Sequence, residues 1–150
     1  MRRIVAAVAA VAVSAAGAVV GAQASAGAAA APVRMVKIQY DSPGPDTRSN
    51  ASLDAEWVAL RNTTARKVSL SGWTLRDAQN HVYRFGALTL APRATVTVHT
   101  GRGTNSAAHR YWSSGNYIWN NTGDTATLRD PRRVVQTCAW RTTGRGTITC

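Results

Sequence analysis

From Pro32 onward, the apolar residues occur in short runs, and most of these runs alternate apolar with polar residues. The clearest run is 94–100, where Val96 and Val98 alternate with polar neighbours. Such alternation is typical of a strand with one buried face. Clusters of Gly, Pro, Asn, Asp and Ser separate the runs, which is the pattern of an all-β protein. The runs predict strands at 36–40, 56–61, 70–75, 82–85, 88–90, 94–100, 125–129, 134–140 and 147–149.

The composition of the same stretch argues against a helical bundle. It holds 17 Thr but only one Glu and two Lys, so strong helix formers are scarce and β-branched residues are plentiful. About 120 residues make one ordinary domain, and the sequence shows no internal repeat. Many short strands in one domain predict two antiparallel sheets packed face to face, or a barrel.

The first residues predict export. Arg2 and Arg3 precede an apolar stretch at 4–20 that leads into small residues, as in a secretory signal peptide. An uncleaved membrane anchor is the alternative, although a short, Ala-dominated segment is a weak span. We expect a secreted or surface-associated protein without a membrane span after cleavage. The predicted boundaries are a signal peptide at 1–26 with cleavage near 24–26, an Ala-rich linker at 27–32 and a domain at 33–150.

The cysteine positions agree with export. Cys138 and Cys150 both lie in the last 13 residues, and a disulfide is expected in an oxidising compartment. The two cysteines are equidistant from Gly144, so a hairpin that turned there would place them opposite one another. The sequence therefore predicts a C-terminal disulfide hairpin. No Cys-x-x-Cys spacing or adjacent His supports a redox or metal role.

The mature chain is strongly basic. Without Arg2 and Arg3 it has 16 basic and seven acidic residues, a net charge of +9. This charge favours polyanions such as nucleic acid or anionic wall polymers, or serves solubility alone. The densest group, on the predicted hairpin, either tracks a phosphate backbone without sequence specificity or forms a solvated sheet edge. These candidate polyanion-binding residues are Arg129, Arg132, Arg133, Arg141 and Arg145.

Aromatic residues are concentrated between the predicted strands. Four of the ten aromatics lie within nine residues, a density found where sugars or bases stack. Tyr111, Trp112 and Tyr117 are the candidates, with Trp112 expected to be the most exposed. The alternative is a segment that caps the sandwich. Trp57 and Trp73 are expected in the core.

The acids and histidines offer no recognised reaction centre. Asp41, Asp46, Asp54 and Glu56 are close in sequence but lack the spacing of a calcium loop, so we expect them to pair with arginines. Asp124 lies in an Asn/Gly-rich turn and is expected to bond the backbone rather than to act as an acid. The histidines, His81, His99 and His109, match no nucleophile or metal motif. We expect no catalytic residue, metal site or cofactor.

Several ordered motifs resemble the lamin tail domain. They are residues 38–40, 56–62, 70–77, 83–85, 90–103 and 119–130, so that the likeness spans about 33–135. The C-terminal cysteine pair resembles the ending of secreted bacterial members, and the absence of preceding heptads excludes a filament protein. The resemblance implies an immunoglobulin-like β-sandwich and a binding module without catalytic residues or a settled ligand.

These observations together predict an extracellular, non-enzymatic binding or adaptor module. Its partner is expected to be a protein or a polyanionic surface, and any contact with nucleic acid should be non-specific. Two further functions remain open at this point. One is polyanion binding through the arginine hairpin, and the other is carbohydrate or cell-wall binding through the aromatic cluster; salt should weaken the first far more than the second.

Overall fold

The computed structural model describes residues 30–141 and 144–150. The predicted signal peptide and the first half of the predicted linker, residues 27–29, lie outside these ranges. The described residues form eleven strands and one short helix. The elements are β1 (Val33–Gln39), α1 (Asn50–Asp54), β2 (Trp57–Asn62), β3 (Val68–Ser69), β4 (Thr74–Arg76), β5 (Val82–Arg84), β6 (Thr89–Leu90), β7 (Thr95–His99), β8 (His109–Tyr111), β9 (Gly123–Arg129), β10 (Val134–Arg141) and β11 (Thr147–Thr149).

The strands form two main sheets around one core. The five-stranded sheet has the order β11-β1-β2-β7-β8, and the four-stranded sheet has the order β10-β9-β4-β5. A small third sheet pairs β3 with β6. All pairs are antiparallel except β7 with β8, which is parallel. The predicted immunoglobulin-like β-sandwich is confirmed, with this one parallel pair as an exception to the antiparallel pattern.

The core forms where the inner faces of the two sheets meet. Alternate residues of each strand point inward, such as Val58 and Leu60 of β2 and Val96 and Val98 of β7, all at most 1% exposed. Two of the buried tryptophans, Trp119 and Trp140, pack edge to face with ring centroids 5.9 Å apart. Burial of this alternating apolar set is the main stabilising term of such a sandwich.

Three elements differ from the sequence prediction. Only the end of the predicted strand at 70–75 is in a strand, β4, because Gly72 has a φ of +77° in a turn between β3 and β4. Helix α1 lies between the predicted strands at 36–40 and 56–61, where no element was predicted, and Ser49 caps it by accepting a hydrogen bond from the Ser52 backbone N–H. Strand β8 was not predicted, since His109-Arg-Tyr has no apolar alternation.

The cysteine pairing is confirmed, but the predicted hairpin is wrong. Cys138 and Cys150 are bonded with their Cα atoms 5.7 Å apart. However, β10 pairs with β9 in one sheet, whereas β11 pairs with β1 in the other. Ile148 of β11 lies opposite Ile38 and packs against the core, which explains why the last strand leaves β10. The disulfide therefore joins edge strands of opposite sheets. No helix within the described ranges is long and apolar enough to cross a membrane.

Candidate functional site

The relative direction of β1 and β10 shows which ends of the two sheets coincide. The Met35 backbone N–H donates to Gln136 Oε1 at 2.8 Å, while Tyr40 stacks on Trp140 at 5.1 Å between centroids. Both strands therefore run the same way across the sandwich. The start of β1 consequently lies at the same end as the turn between β9 and β10.

Basic side chains gather at this end, which we call the basic end. The Thr63 backbone N–H donates to the Pro32 carbonyl and the Arg93 N–H to the Thr64 carbonyl, which brings the β2–β3 and β6–β7 connections beside the start of β1. Thr74 pairs with both Arg84 and Arg129, which adds the four-stranded sheet. The nine cations of the basic end are Arg34, Arg61, Arg66, Lys67, Arg84, Arg93, Arg129, Arg132 and Arg133.

These cations have little opposing charge. Eight of the nine are exposed, and Arg129 is half-buried. Asp130 is the single acid at this end, and it forms one ion pair, with Arg133 at 3.9 Å. Arg34 and Arg61 lie directly opposite one another on adjacent strands, and such like-charge pairs are destabilising. The basic end thus holds a concentrated positive charge that the described part of the chain leaves uncompensated.

The other six acids lie towards the opposite end of the sandwich. Asn121 Nδ2 donates to Asp41 at 2.9 Å, and the Ala78 N–H donates to Asp124 at 3.0 Å, which ties several acidic loops together there. The expectation that the early acids pair with arginines is wrong: the ion pairs among described residues involve only Asp77 and Asp130. These acids instead accept hydrogen bonds from neutral donors. The six are Asp41, Asp46, Asp54, Glu56, Asp77 and Asp124.

Glu56 is the most deeply buried of these acids. Its side chain is fully inaccessible, and Oε1 accepts hydrogen bonds from Thr100 Oγ1 at 2.6 Å and the Ile118 and Trp119 N–H groups at 2.8 and 3.3 Å. Oε2 is buried without a partner among the described residues. Burial raises the pKa of Glu56 to about 7, against the lowering effect of the hydrogen bonds. Glu56 fastens the loop before β9 to the five-stranded sheet.

The five predicted arginines do not form one stripe. Arg129, Arg132 and Arg133 belong to the basic end, whereas Arg141 lies at the far end of β10. The seven residue steps along β10 span about 23 Å. Arg145 precedes Gly146, whose carbonyl accepts hydrogen bonds from the Tyr40 and Asp41 N–H groups at the end opposite the basic end. The division follows from the length of β10, which separates Arg132 and Arg133 just before its start from Arg141 at its end.

The three predicted stacking residues all have internal contacts. Tyr111 stacks on His99 at 5.1 Å, and Trp112 packs half-buried against Tyr83 at 5.7 Å. Tyr117 Oη lies 2.6 Å from Ser52 Oγ in a hydrogen bond. The three rings therefore do not form one exposed platform, and the arrangement matches the alternative in which this segment caps the sandwich.

The prediction that Trp57 lies in the core is wrong. Its neighbours in β2, Val58 and Leu60, point into the core, so Trp57 lies on the outer face of the five-stranded sheet and is half-buried there. Lys37 Nζ lies 5.9 Å from the centre of its ring, a cation–π contact. The alternation of β2 was a signal that could have placed Trp57 correctly. Trp73 is buried in the core, as expected.

Two histidines that were not predicted to be neighbours, His99 and His109, lie side by side on the same outer face. His99 Nδ1 lies 2.8 Å from the Asp54 carbonyl oxygen, and His99 Nε2 lies 3.0 Å from His109 Nδ1. The His99 ring is half-buried and His109 is exposed. Burial raises the pKa of Asp54 above its ordinary value, while the charge of nearby His99 lowers it. Ten residues separate the two histidines in sequence, and only the pairing of β7 with β8 brings them together.

The remaining polar candidates have structural roles. Asp124 Oδ1 accepts from the Ala78 and Thr125 N–H groups, and Oδ2 accepts from the Asn120 backbone and side chain. This turn-forming role is the one expected for Asp124. Asp77 likewise accepts from the backbone N–H of His81 at 2.7 Å and contacts its ring. Within the described ranges, no three His, Cys, Asp or Glu side chains converge as a metal site would require.

A groove lies on the disulfide side of the sandwich. Its volume is about 790 Å³, and β9, β10 and β11 line it. It contains one cation, Arg141, and one acid, Asp124, whose oxygens are used by the turn before β9. The groove lies away from the basic end and adds no charge to it.

Comparison with known families finds one family model that matches this chain. The model of the family described as Lamin Tail Domain matches residues 26–142, which is most of the chain. No curated protein matches the chain. The family match agrees with the two-sheet fold but assigns no ligand to any residue.

Proposed function

The chain belongs to the lamin tail domain family, and from this premise we propose that it is an exported, non-enzymatic binding module that holds a polyanion at its basic end. A family of immunoglobulin-like modules supports the general role of binding. The ligand class is inferred from charge and from the phosphate preference of arginine. The chemistry in question is a phosphodiester chain, as found in nucleic acid and in anionic wall polymers.

The observation that carries this proposal is the uneven distribution of net charge over the sandwich. Nine cations lie at the basic end with Asp130 as the single acid, whereas the other six acids and the other seven cations of the described residues lie elsewhere. A charge introduced only for solubility would be expected to mix both signs over the surface. Concentration at one end instead creates a local field that attracts an anionic chain.

Side-chain geometry at the basic end also favours an extended ligand. Arg34 and Arg61 lie opposite one another on the five-stranded sheet, while Arg84 and Arg129 both flank Thr74 on the four-stranded sheet. The cations thus belong to both sheets and to the turns between them. A polymer with regularly spaced phosphates can contact several of them together, whereas a single small anion cannot.

The proposal is tested by titrating the oxidised mature chain, without added tags, with a mixed-sequence DNA duplex and with poly(glycerol phosphate) at several salt concentrations. The test variant carries Arg34→Gln, Arg61→Gln and Arg132→Gln. We expect binding that weakens steeply with salt, and a variant whose slope of log affinity against log salt is shallower by about two to three for the duplex.

A matched control removes the same charge elsewhere. The variant with Arg102→Gln, Arg141→Gln and Arg145→Gln has the same net charge but keeps the basic end intact. It should bind nearly as the wild type does. Equal losses in both variants would reduce the effect to net charge, and no binding at low salt would refute the proposal. Unequal binding of the two polymers would identify the preferred source of phosphate.

Export is the second part of the proposal. Arg2, Arg3 and the apolar stretch at 4–20 support it, and a disulfide between Cys138 and Cys150 suits an oxidising compartment. The test is N-terminal sequencing of the protein recovered from the culture medium of expressing cells. A start near residues 25–27 supports cleavage and release. An intact N-terminus in the membrane fraction would contradict it.

A further inference from the structure

We propose that His99 and His109 form a two-nitrogen binding site for a divalent transition-metal ion such as Cu²⁺ or Ni²⁺. The site lies on the outer face of the five-stranded sheet, where β7 and β8 run parallel. It is independent of the basic end. Neither histidine belongs to a metal-binding motif, so the site was not expected from sequence.

The hydrogen bond to Asp54 fixes the tautomer of His99. A backbone carbonyl oxygen only accepts hydrogen bonds, so Nδ1 of His99, 2.8 Å from that oxygen, carries the proton. In the neutral ring, Nε2 then has a free electron pair. Histidines that bind metals usually donate their other N–H to a carbonyl or carboxylate in this way, because the bond orients the ring and raises its basicity.

The second nitrogen lies at a suitable distance. His99 Nε2 and His109 Nδ1 are 3.0 Å apart. Two nitrogens bound to one metal ion at 2.0–2.1 Å are separated by about 2.9 Å at right angles and by about 3.4 Å in a tetrahedron. The observed separation lies within this interval. Because His99 Nε2 accepts this hydrogen bond, His109 Nδ1–H donates it. Metal binding therefore requires that proton to move to His109 Nε2 by exchange with water, and the exposed His109 ring to shift until both lone pairs meet at the ion.

Neighbouring groups hold the His99 side of the site in place. Its ring stacks on Tyr111 with centroids 5.1 Å apart and planes within 19°. Gly103 covers the Tyr111 ring so closely that an added Cβ would overlap it.

The donor set indicates which ions should bind. Imidazole nitrogens suit Cu²⁺, Ni²⁺ and Zn²⁺, whereas Mg²⁺ and Ca²⁺ prefer oxygen. Since no three potential ligands converge in the part of the chain described, water would complete the coordination. Both cysteines are in the disulfide and supply no thiolate. Affinity should follow the order Cu²⁺ above Ni²⁺.

The experiment is isothermal titration of the oxidised chain, without a histidine tag, with NiCl₂, CuCl₂ and MgCl₂ at neutral pH. We expect one Ni²⁺ or Cu²⁺ per chain and no binding of Mg²⁺. Loss of even an indirect partner of a metal ligand costs about 10- to 100-fold in affinity, so His109→Ala should weaken Ni²⁺ binding at least tenfold. Bound Ni²⁺ should also raise the unfolding midpoint of the wild type but not that of His109→Ala.

The matched control is His81→Ala, which removes a histidine from the other sheet. His81 is on the loop before β5 and bonds Asp77 instead. This variant should keep full Ni²⁺ affinity. Because His109 is exposed, its substitution should leave the fold intact, which circular dichroism would check. Unchanged Ni²⁺ affinity in His109→Ala, or the absence of saturable binding in the wild type, would overturn the proposal.

Discussion

Substitution of Glu56 by Gln should remove a pH dependence from the stability of this fold. The pKa of Glu56 is raised from 4.5 to about 7, chiefly by burial. The folded state therefore holds the proton more tightly than the unfolded state does. Stability is greatest below the unfolded pKa, declines as the pH rises through the folded pKa, and then levels off.

The size of the effect follows from this difference in pKa. Each pKa unit corresponds to about 1.4 kcal/mol, so the full loss is roughly 3 kcal/mol. Between pH 5 and pH 8 the wild type should lose roughly 2 to 3 kcal/mol of unfolding free energy from this group. Glu56→Gln keeps an oxygen that can accept from Thr100, Ile118 and Trp119, but it cannot ionise. Its stability should therefore lack this decline.

The assay is urea unfolding followed by tryptophan fluorescence at pH 5, 6, 7 and 8, with the disulfide intact and constant ionic strength. The quantity to compare is the pH-dependent change in each protein, because constant costs of the substitution cancel in it. Asp130→Asn is the control. Backbone N–H groups of Arg133 and Arg132 lower the pKa of Asp130, so it titrates below this window. Equal slopes in wild type and Glu56→Gln would refute the reasoning.

Three further outcomes are expected from urea unfolding of single or paired variants. Replacing Cys138 and Cys150 together by Ser should lower the unfolding free energy by about 3 kcal/mol, since the bond closes a short loop; a smaller loss than about 1 kcal/mol would contradict this. Trp57→Ala should cost about 1 kcal/mol, against about 3 to 5 kcal/mol for truncating a core tryptophan, and a core-sized loss would contradict the outward placement. Gly101→Ala should cost about 1 to 3 kcal/mol, because its Cβ would overlap the buried Asp54 carboxylate; a neutral result would contradict it.

The sequence predicted those parts of the fold that depend on local patterns. Alternation in 94–100 correctly located β7, since one face of that strand is buried, and the presence of two cysteines behind a predicted export signal correctly indicated their bond. The same alternation, applied to Trp57, would have placed it outside with Ala59 and Arg61. The local pattern was therefore sufficient to place Trp57 on the outer face. The prediction instead followed the general tendency of tryptophan to be buried.

Other features depend on which strands become neighbours, and local patterns do not contain that information. The hairpin prediction failed because β11 pairs with β1, where Ile148 lies opposite Ile38 and packs against the core. The pairing of His99 with His109 depends on the parallel contact of β7 with β8. The concentration of positive charge at one end was also not predicted from the sequence. Arg34 and Arg132 are distant in sequence, and only the alignment of the two sheets places them at the same end.

The bond between the two edge strands also determines how the molecule bears mechanical load. β11 is held to β1 by only three paired residues, whereas β10 is paired along its length with β9. A pull applied through Cys150 passes through the sulfur atoms into β10, so that both sheets share the force and β11 cannot peel away first. In a reducing medium the same pull would meet the three-residue pairing alone. The redox state of the surroundings therefore sets the tensile strength of this end of the domain.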